Sequence, residues 1–167
     1  PDWVRAEQTC LVIGPAPGED EPRILLRRGD GVAFGPHRAS WGAPEVMVGA
    51  PAPLTGSGRF RVAAGVDLSG EDALGAIDPR LATMPRGTLG SSVLILLPET
   101  GDRPILLHGT KRGAQGSAVG IGIEQTHLDA LIDVLGDPAG LRVDVQRRRV
   151  QRAGWGGAQG QRHRTRQ

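Results

Sequence analysis

Short strand-like runs of apolar residues recur along this chain and are separated by segments rich in turn-forming Gly, Pro and Asp. Arg28-Gly29-Asp30-Gly31 predicts a tight hairpin between two such runs, because Asp-Gly favours the backbone of a two-residue turn. A second hairpin loop is predicted over residues 98–102, and a weak helical turn over residues 69–76. The pattern therefore predicts a mostly β fold. The predicted strands cover residues 9–13, 23–27, 31–35, 45–49, 59–63, 92–97, 104–108, 119–123 and 141–145.

One segment late in the chain has helical periodicity instead. Its apolar residues fall at i, i+3, i+4 and i+7 and form a single stripe that must face a core. Thr126 and Asp129 have the spacing of a capping box, with Asp in place of the usual Glu, so the helix is predicted to begin at Thr126. Gly136 and Pro138 predict its end, and His127 is expected to be exposed in its first turn. The stripe consists of Leu128, Leu131, Ile132 and Leu135.

The composition of the 167 residues fits one domain with an aliphatic core. Its 26 glycines and 13 prolines favour short strands joined by tight turns, and so few aromatic residues leave little surface for stacking nucleic-acid bases. Cys10, the single cysteine, excludes an internal disulfide or a cysteine-based zinc cluster, and it is predicted to be a small buried hydrophobic residue. The longest apolar runs, such as residues 93–97, fall far short of the roughly 20 residues of a membrane span. We therefore expect no cofactor, no metal and no membrane span, and nucleic acid is the less favoured partner.

The net charge of +2 hides a separation of charge along the chain. Residues 147–167 carry seven arginines and no acid, whereas the remaining residues carry a net charge of −5. Because apolar residues nearly vanish after Gln146, we divide the chain into a β-rich domain, residues 1–146, and a basic Arg/Gly-rich tail, residues 147–167. Such a tail is either a solvated terminus or an arm that meets an anionic partner. Its predicted contact residues are Arg147, Arg148, Arg149, Arg152 and Trp155.

The segment Pro104-Ile-Leu-Leu-His-Gly-Thr110 resembles the strand of L,D-transpeptidases, peptidoglycan cross-linking enzymes, that ends in a His-Gly-Thr signature. In that family a glycine-bearing loop follows, then a Ser/Thr-His-Gly-Cys motif, a helix and a final strand. Residues 104–145 of this chain follow the same order, and residues 53–60 loosely resemble the family's Thr-Pro-Thr-Gly-x-Phe segment. The resemblance implies an L,D-transpeptidase-like β-sandwich with one clear helix late in the chain.

The chain departs from the family at the nucleophile. Counted back from the helix, the Ser/Thr-His-Gly-Cys motif falls on Val119, Gly120, Ile121 and Gly122, so Gly122 occupies the position of the catalytic cysteine. In the family a cysteine thiolate attacks a peptide carbonyl to form an acyl-enzyme, and this attack needs a thiol beside a base or a cation. Glycine cannot supply the thiol. We therefore expect no catalytic residue here and interpret His108 as a vestige of the family's site.

The same resemblance implies a binding site at the strand end and the loop that follows. His108 and Thr110 end the strand, and Lys111 and Arg112 begin a Gly-rich loop whose positive charge can hold the carboxylate of a peptidoglycan stem peptide or another anionic partner. In the alternative interpretation the loop charges only confer solubility, and the His108 ring bonds to backbone. The implied location is exported, in the periplasm or cell envelope.

Three functions stay open on the sequence alone. The first is a catalytically degenerate L,D-transpeptidase-like domain that acts as a binding or structural module of the bacterial cell envelope, with peptidoglycan or an envelope protein as partner. The second is an active enzyme with a different centre near His108 and Ser117. The third is a β-domain subunit of a larger assembly, anchored through its Arg-rich tail. Since the first and third need no nucleophile, an enzymatic function is the less favoured interpretation.

Deleting residues 147–167 is expected to leave the thermal midpoint of unfolding within a few degrees of that of the full chain. The tail carries too little apolar surface to offset the entropic cost of ordering its backbone. The same deletion should abolish any association that weakens as the salt concentration rises. Calorimetry and binding measurements at two salt concentrations test both effects. Unfolding at a much lower temperature would show that the tail belongs to the fold and that the boundary at Gln146 is wrong.

Overall fold

The structure, a computed structural model, describes residues 8–41, 58–85, 87–100, 104–111 and 120–146. Within these ranges the chain forms eight β-strands, two α-helices and one 3-10 helix. The strands are β1 (Thr9–Pro15), β2 (Pro22–Arg28), β3 (Gly31–Trp41), β4 (Gly58–Asp67), β5 (Ser92–Pro98), β6 (Ile105–Thr110), β7 (Ile121–Glu124) and β8 (Arg142–Val145). The helices are α1 (Ala73–Ile77) and α2 (Gln125–Leu135), and the 3-10 helix covers Pro79–Leu81.

The described strands close into one barrel in the order β1-β2-β3-β7-β6-β5-β4-β8, with β8 pairing back onto β1. The β1–β8 and β6–β7 pairs are parallel, and the other six pairs are antiparallel. The antiparallel β2–β3 and β5–β6 pairs confirm the two predicted hairpins. In the first of them, Gly29 adopts the left-handed backbone with φ of 59°, a conformation that glycine adopts without steric cost.

The barrel interior is aliphatic, as the composition predicts. Buried residues alternate with half-buried ones along β1 and β8, because successive side chains of a strand point to opposite faces. Leu128 and Leu131 of α2 belong to the same buried cluster, so the helix is held on the barrel by the core itself. The cluster includes Leu11, Ile13, Ile24, Leu26, Phe60, Val62, Leu94, Leu96, Leu107, Ile121, Ile123, Val143 and Val145.

A second, smaller core covers the outer face of β5 and β6. Val93 and Leu106 point away from the barrel interior, because they alternate with the interior residues Leu94 and Leu107. They are buried together with Leu68, Leu81 and Leu89, which come from the segment that contains α1. This segment therefore forms a partial outer layer over the sheet.

Helix α2 follows β7 without an intervening turn, and its predicted capping box is wrong. The N-cap residue is Glu124, which makes no side-chain capping hydrogen bond. The Thr126 hydroxyl donates instead to the Glu124 carboxylate at 3.0 Å, and the Gln125 amide donates to Asp129 at 2.8 Å. The reason is that Glu124 is still paired with β6, so the helix must begin at Gln125. The predicted end is confirmed, since the Gly136 N–H bonds to the Ile132 carbonyl at 2.9 Å.

Two glycines allow β7 and α2 to lie close against their neighbours. Gly120 has φ of 57°, and a Cβ atom there would collide with the carbonyl oxygen of Leu106 on β6. At Gly109, a Cβ atom would overlap the side chain of Gln125. The Gln125 side-chain oxygen accepts a hydrogen bond from the Ser91 N–H at 2.9 Å, so this side chain crosses Gly109 and fixes the start of α2 beside β5.

The prediction of a mostly β fold with one clear late helix is confirmed. The expected two-sheet sandwich is corrected, because the β1–β8 and β3–β7 pairings join all the described strands into one closed barrel. The weak turn predicted over residues 69–76 is the short helix α1. The strand predicted over residues 45–49 lies outside the described residues. No helix in the described ranges is long and apolar enough to cross a membrane.

Replacing Leu131 by alanine is expected to lower the free energy of unfolding by about 2–5 kcal/mol, because its side chain is 0 % exposed in the main core. Val134 lies one turn further along the same helix and is 41 % exposed, so Val134→Ala is a matched control that should cost less than about 0.5 kcal/mol. Urea denaturation of both variants measures the difference. Similar losses in the two variants would show that α2 is oriented differently on the barrel.

Candidate functional site

Ser40, Gly122 and His108 lie side by side on three adjacent strands. Ser40 of β3 is the register partner of Gly122, and Gly122 of β7 is the register partner of His108 on β6. The predicted adjacency of the two motif strands is therefore confirmed. Ser40 and His108 are two strand spacings apart, about 9–10 Å, so they cannot form a hydrogen bond across Gly122. A side chain at position 122 would project between them, and glycine leaves that position without one.

His108 is buried, with 1 % of its surface exposed. It shares the outward direction of Leu106 on β6, and the outer layer covers that face. Its ring Nδ1 lies 3.1 Å from the Gly109 carbonyl oxygen, which can only accept a hydrogen bond, so this contact requires a proton on Nδ1. A ring bonded to backbone is the alternative that the sequence left open for His108. Its predicted role in binding stays a prediction.

A cleft of about 550 Å³ lies beside this row, at the ends of β3, β6 and β7 and the first turn of α2. It combines an indole and an imidazole ring with cationic, anionic and hydroxyl groups. Thr110 and Lys111, two of the predicted binding residues, line it, and Gly122 contributes to its wall. The other lining residues are Asp20, Glu21, Pro22, Arg38, Ala39, Ser40, Trp41, Ile123, Glu124 and His127.

Several polar groups of the cleft are already engaged with each other. Arg38 forms an ion pair with Glu21 at 3.1 Å, on a part of the surface where both side chains are exposed. The Ser40 hydroxyl donates to the Gly122 carbonyl oxygen at 3.4 Å, and the Glu124 carboxylate accepts from Thr126. Lys111 is exposed at the end of β6. A ligand in this cleft would therefore meet one exposed ammonium group among largely compensated charges.

Two histidines that the sequence did not bring together stack behind the cleft. The ring centroids of His37 and His127 lie 3.8 Å apart with an interplanar angle of 14°. His127 is half-buried, so the expectation that it is exposed is wrong. Burial lowers the pKa of His37, repulsion by His127 lowers it further, and the carboxylate of Glu124 partly opposes both effects. Phe34 packs against His37 in an edge-on arrangement, with the two centroids 4.7 Å apart.

Comparison with solved structures gives only distant similarity. No model of a known protein family matches the sequence, and no curated protein sequence matches it. Among solved structures, L,D-transpeptidase 1 of Mycobacterium tuberculosis is similar to this chain, with 16 % sequence identity and a TM-score of 0.39. The match covers 82 % of this chain and 62 % of that one, so this chain spans less than two thirds of its length. The similarity does not place the chain in that family.

The remaining predicted site residues lie outside the cleft or outside the described residues. Arg112, Ser117 and the tail residues 147–167 belong to the latter group. The third candidate function and the His108–Ser117 centre therefore stay predictions. Within the described ranges, no group of three or more His, Cys, Asp or Glu side chains is arranged to hold a metal ion.

Cys10 is far from the cleft and differs from the prediction of a buried residue. It lies on β1, opposite Arg27 and Arg142, and three strand positions separate it from β7 around the barrel. Its side chain is half-buried because it points to the outer face of the strand. Partial burial raises the pKa of its thiol, and the carboxylate of Asp144 raises it further, which Arg142 opposes in part. The thiol is therefore predominantly protonated at neutral pH and is a poor nucleophile.

Incubation with a carbapenem, which acylates the nucleophilic cysteine of L,D-transpeptidases, is expected to leave the intact mass of this protein unchanged. Gly122 has no side chain to acylate, and the thiol of Cys10 lies three strands away with a raised pKa. Intact mass spectrometry of the native chain and of Cys10→Ser tests this, and iodoacetamide on denatured protein shows that the thiol is detectable. A stoichiometric adduct that disappears in Cys10→Ser would show that this thiol acts as a nucleophile after all.

Proposed function

We propose that this domain binds an extended peptide of the peptidoglycan stem type, or an envelope protein that presents the same groups, in the cleft between β3, β6, β7 and α2. It acts as a binding or structural module of the cell envelope and does not transfer acyl groups. The resemblance of residues 104–145 to L,D-transpeptidases implies a site at these strand ends, with Gly122 at the position of the nucleophile.

The observation that carries the proposal is the register of the three strands around Gly122. Ser40, Gly122 and His108 are register partners on three adjacent strands, so position 122 is the middle of this row beside the cleft. Glycine places no side chain there. A thiolate mechanism needs a sulfur atom within bonding distance of a carbonyl carbon, and the sulfur of Cys10 lies on the other side of two strands, β2 and β3. The proposal therefore gives the cleft a peptide-binding role that needs no cysteine nucleophile.

The chemistry of the lining favours a zwitterionic ligand. Lys111 offers a cation to a carboxylate, and the carboxylate of Glu124, which accepts one hydrogen bond from Thr126, has further acceptor capacity for an amine. Trp41 supplies an apolar surface against which an aliphatic peptide side chain can pack. Stem peptides carry both free carboxyl and amino groups, and this mixed lining would accommodate them.

A second function, anchoring through the Arg-rich tail, is favoured by the charge separation along the chain. A tail with seven arginines would bind anionic polymers through the number of charges and not through a shaped site. The two functions differ in which residues matter. Cleft binding depends on Lys111, whereas tail anchoring survives any change in the cleft.

Full-length protein is expected to co-sediment with purified peptidoglycan sacculi, and Lys111→Glu should weaken this binding roughly tenfold, the effect of losing one charge-assisted hydrogen bond. Arg27→Glu is the matched control, since Arg27 is an exposed cation on β2 outside the cleft and the change in net charge is the same. Equal losses in the two variants would show that the binding is non-specific electrostatic attraction. Binding that is lost only when residues 147–167 are removed would show that the tail, and not the cleft, anchors the protein.

A further inference from the structure

The stacked rings of His37 and His127 connect two elements that border the cleft. His37 lies on β3, where it pairs in register with the buried Ile24 of β2, and His127 lies in the first turn of α2. At 3.8 Å between centroids and 14° between planes, the rings are in face-to-face contact. Phe34 borders His37 edge-on. The first turn of α2 therefore rests on β3 through an aromatic contact that depends on two titratable groups.

The contact suits neutral rings and not charged ones. The Nδ1 atom of His127 is buried and has no hydrogen-bond partner among the described residues. In a neutral imidazole one ring nitrogen needs no hydrogen-bond acceptor, but an imidazolium carries a proton on both nitrogens. Charging His127 in place would therefore bury an N–H group without an acceptor, and charging both rings would set two positive charges face to face.

The charged groups around the two rings do not remove the energetic cost of protonating them. On β7, the Glu124 carboxylate attracts a charged His37, but it also accepts the hydrogen bond from Thr126. On β3, Arg38 adds a positive charge beside His37, and it is paired with Glu21. Lys111, at the end of β6, lines the same cleft as His127.

The remaining charged groups nearby lie on β2 and α2. Arg23 of β2 is paired with Glu19 at 2.7 Å, and Asp129 of α2 accepts the hydrogen bond from Gln125. The amino-terminal end of the α2 dipole disfavours a cation in the first turn. The surroundings of the pair therefore favour the neutral state of the His37 ring.

We propose that the His37–His127 stack is a proton-operated contact that holds the first turn of α2 against β3 when neutral and releases it when charged. His127, Glu124 and Arg38 line the cleft, so release changes the shape and charge of the binding surface. This consequence rests on the proposed function. The switch itself does not, because the separation of the rings is a property of the protein without ligand.

The sign of the effect follows from the direction of the pKa shift. The pKa of His37 is lowered from the ordinary value of 6.5, so the unfolded chain binds more protons than the folded chain as the pH falls through this region. The stability that the neutral ring contributes is fully present above about pH 6.5 and is lost as the pH falls towards the lowered folded-state value. Acid therefore loosens the contact, and alkali does not.

Nuclear magnetic resonance titration of the histidine ring protons in the full chain tests the switch without a ligand. We expect the His37 ring to titrate below pH 6.5, and Trp41 emission to change over the same pH range. Trp41 lines the cleft, and in a chain with Trp3→Phe and Trp155→Phe it is the remaining tryptophan. His37→Phe keeps an aromatic partner for His127 and should abolish most of the emission change. If that variant does not fold, His127→Gln, which replaces a half-buried ring, provides the same test.

An emission change that persists in the folded variants, or a His37 pKa at or above 6.5, would overturn the switch. Binding to sacculi provides the second measurement. As the pH falls, the binding affinity should decrease by up to about tenfold per pH unit for each proton that the bound state excludes. Absence of binding at every pH would refute the proposed function and leave the switch standing. Binding that is equally strong at pH 7.5 and pH 5, together with normal titration, would refute the link between the switch and the cleft.

Discussion

The four residues of β7 are the constraint on which the rest of the described structure depends. This strand pairs with β3 on one side and with β6 on the other, so without it the barrel has a gap between these strands. Ile121 and Ile123 fill the core, and the chain passes from Glu124 directly into α2. Gly120 makes the close approach to β6 possible, because its left-handed backbone meets Leu106 where a side chain would collide. Barrel closure, core packing and the placement of α2 therefore all depend on this one short strand.

The same strand determines the site. Since side chains of a strand alternate between its faces, Ile121 and Ile123 can point inward only if Gly122 faces outward, between Ser40 and His108. The outward direction of position 122 is thus fixed by core packing, whichever residue occupies it. Under the proposed function, a glycine at this position leaves the barrel and its cleft in place, because Ile121 and Ile123 on either side hold the strand in register.

Local features of the sequence predicted most of the fold, and non-local ones were missed. Short apolar runs bounded by turn residues located most of the strands, because each strand contributes side chains to an aliphatic core, and the stripe through Leu131 located α2. Closure into a barrel depends on which strand edges meet, and periodicity carries no information about that. The start of α2 was misplaced because the pairing of Glu124 with β6 overrides the Thr126 capping signal. The His37–His127 stack joins residues 37 and 127, and no local pattern relates them.

The charge arrangement of the cleft limits which ligands it can select. Arg38 and Glu21 neutralise each other, and the carboxylate of Glu124 and the hydroxyl of Ser40 already have partners. A strongly charged ligand would have to break such pairs, and the new ion pairs that it forms at an exposed surface would contribute little net binding free energy. A ligand gains more from the exposed ammonium group of Lys111 and from packing against the apolar ring surface of Trp41. Under the proposed function, selectivity should therefore come from matching one carboxylate and one apolar group to Lys111 and Trp41, whose separation is set by the end of β6, where Lys111 lies, and by β3, which contains Trp41.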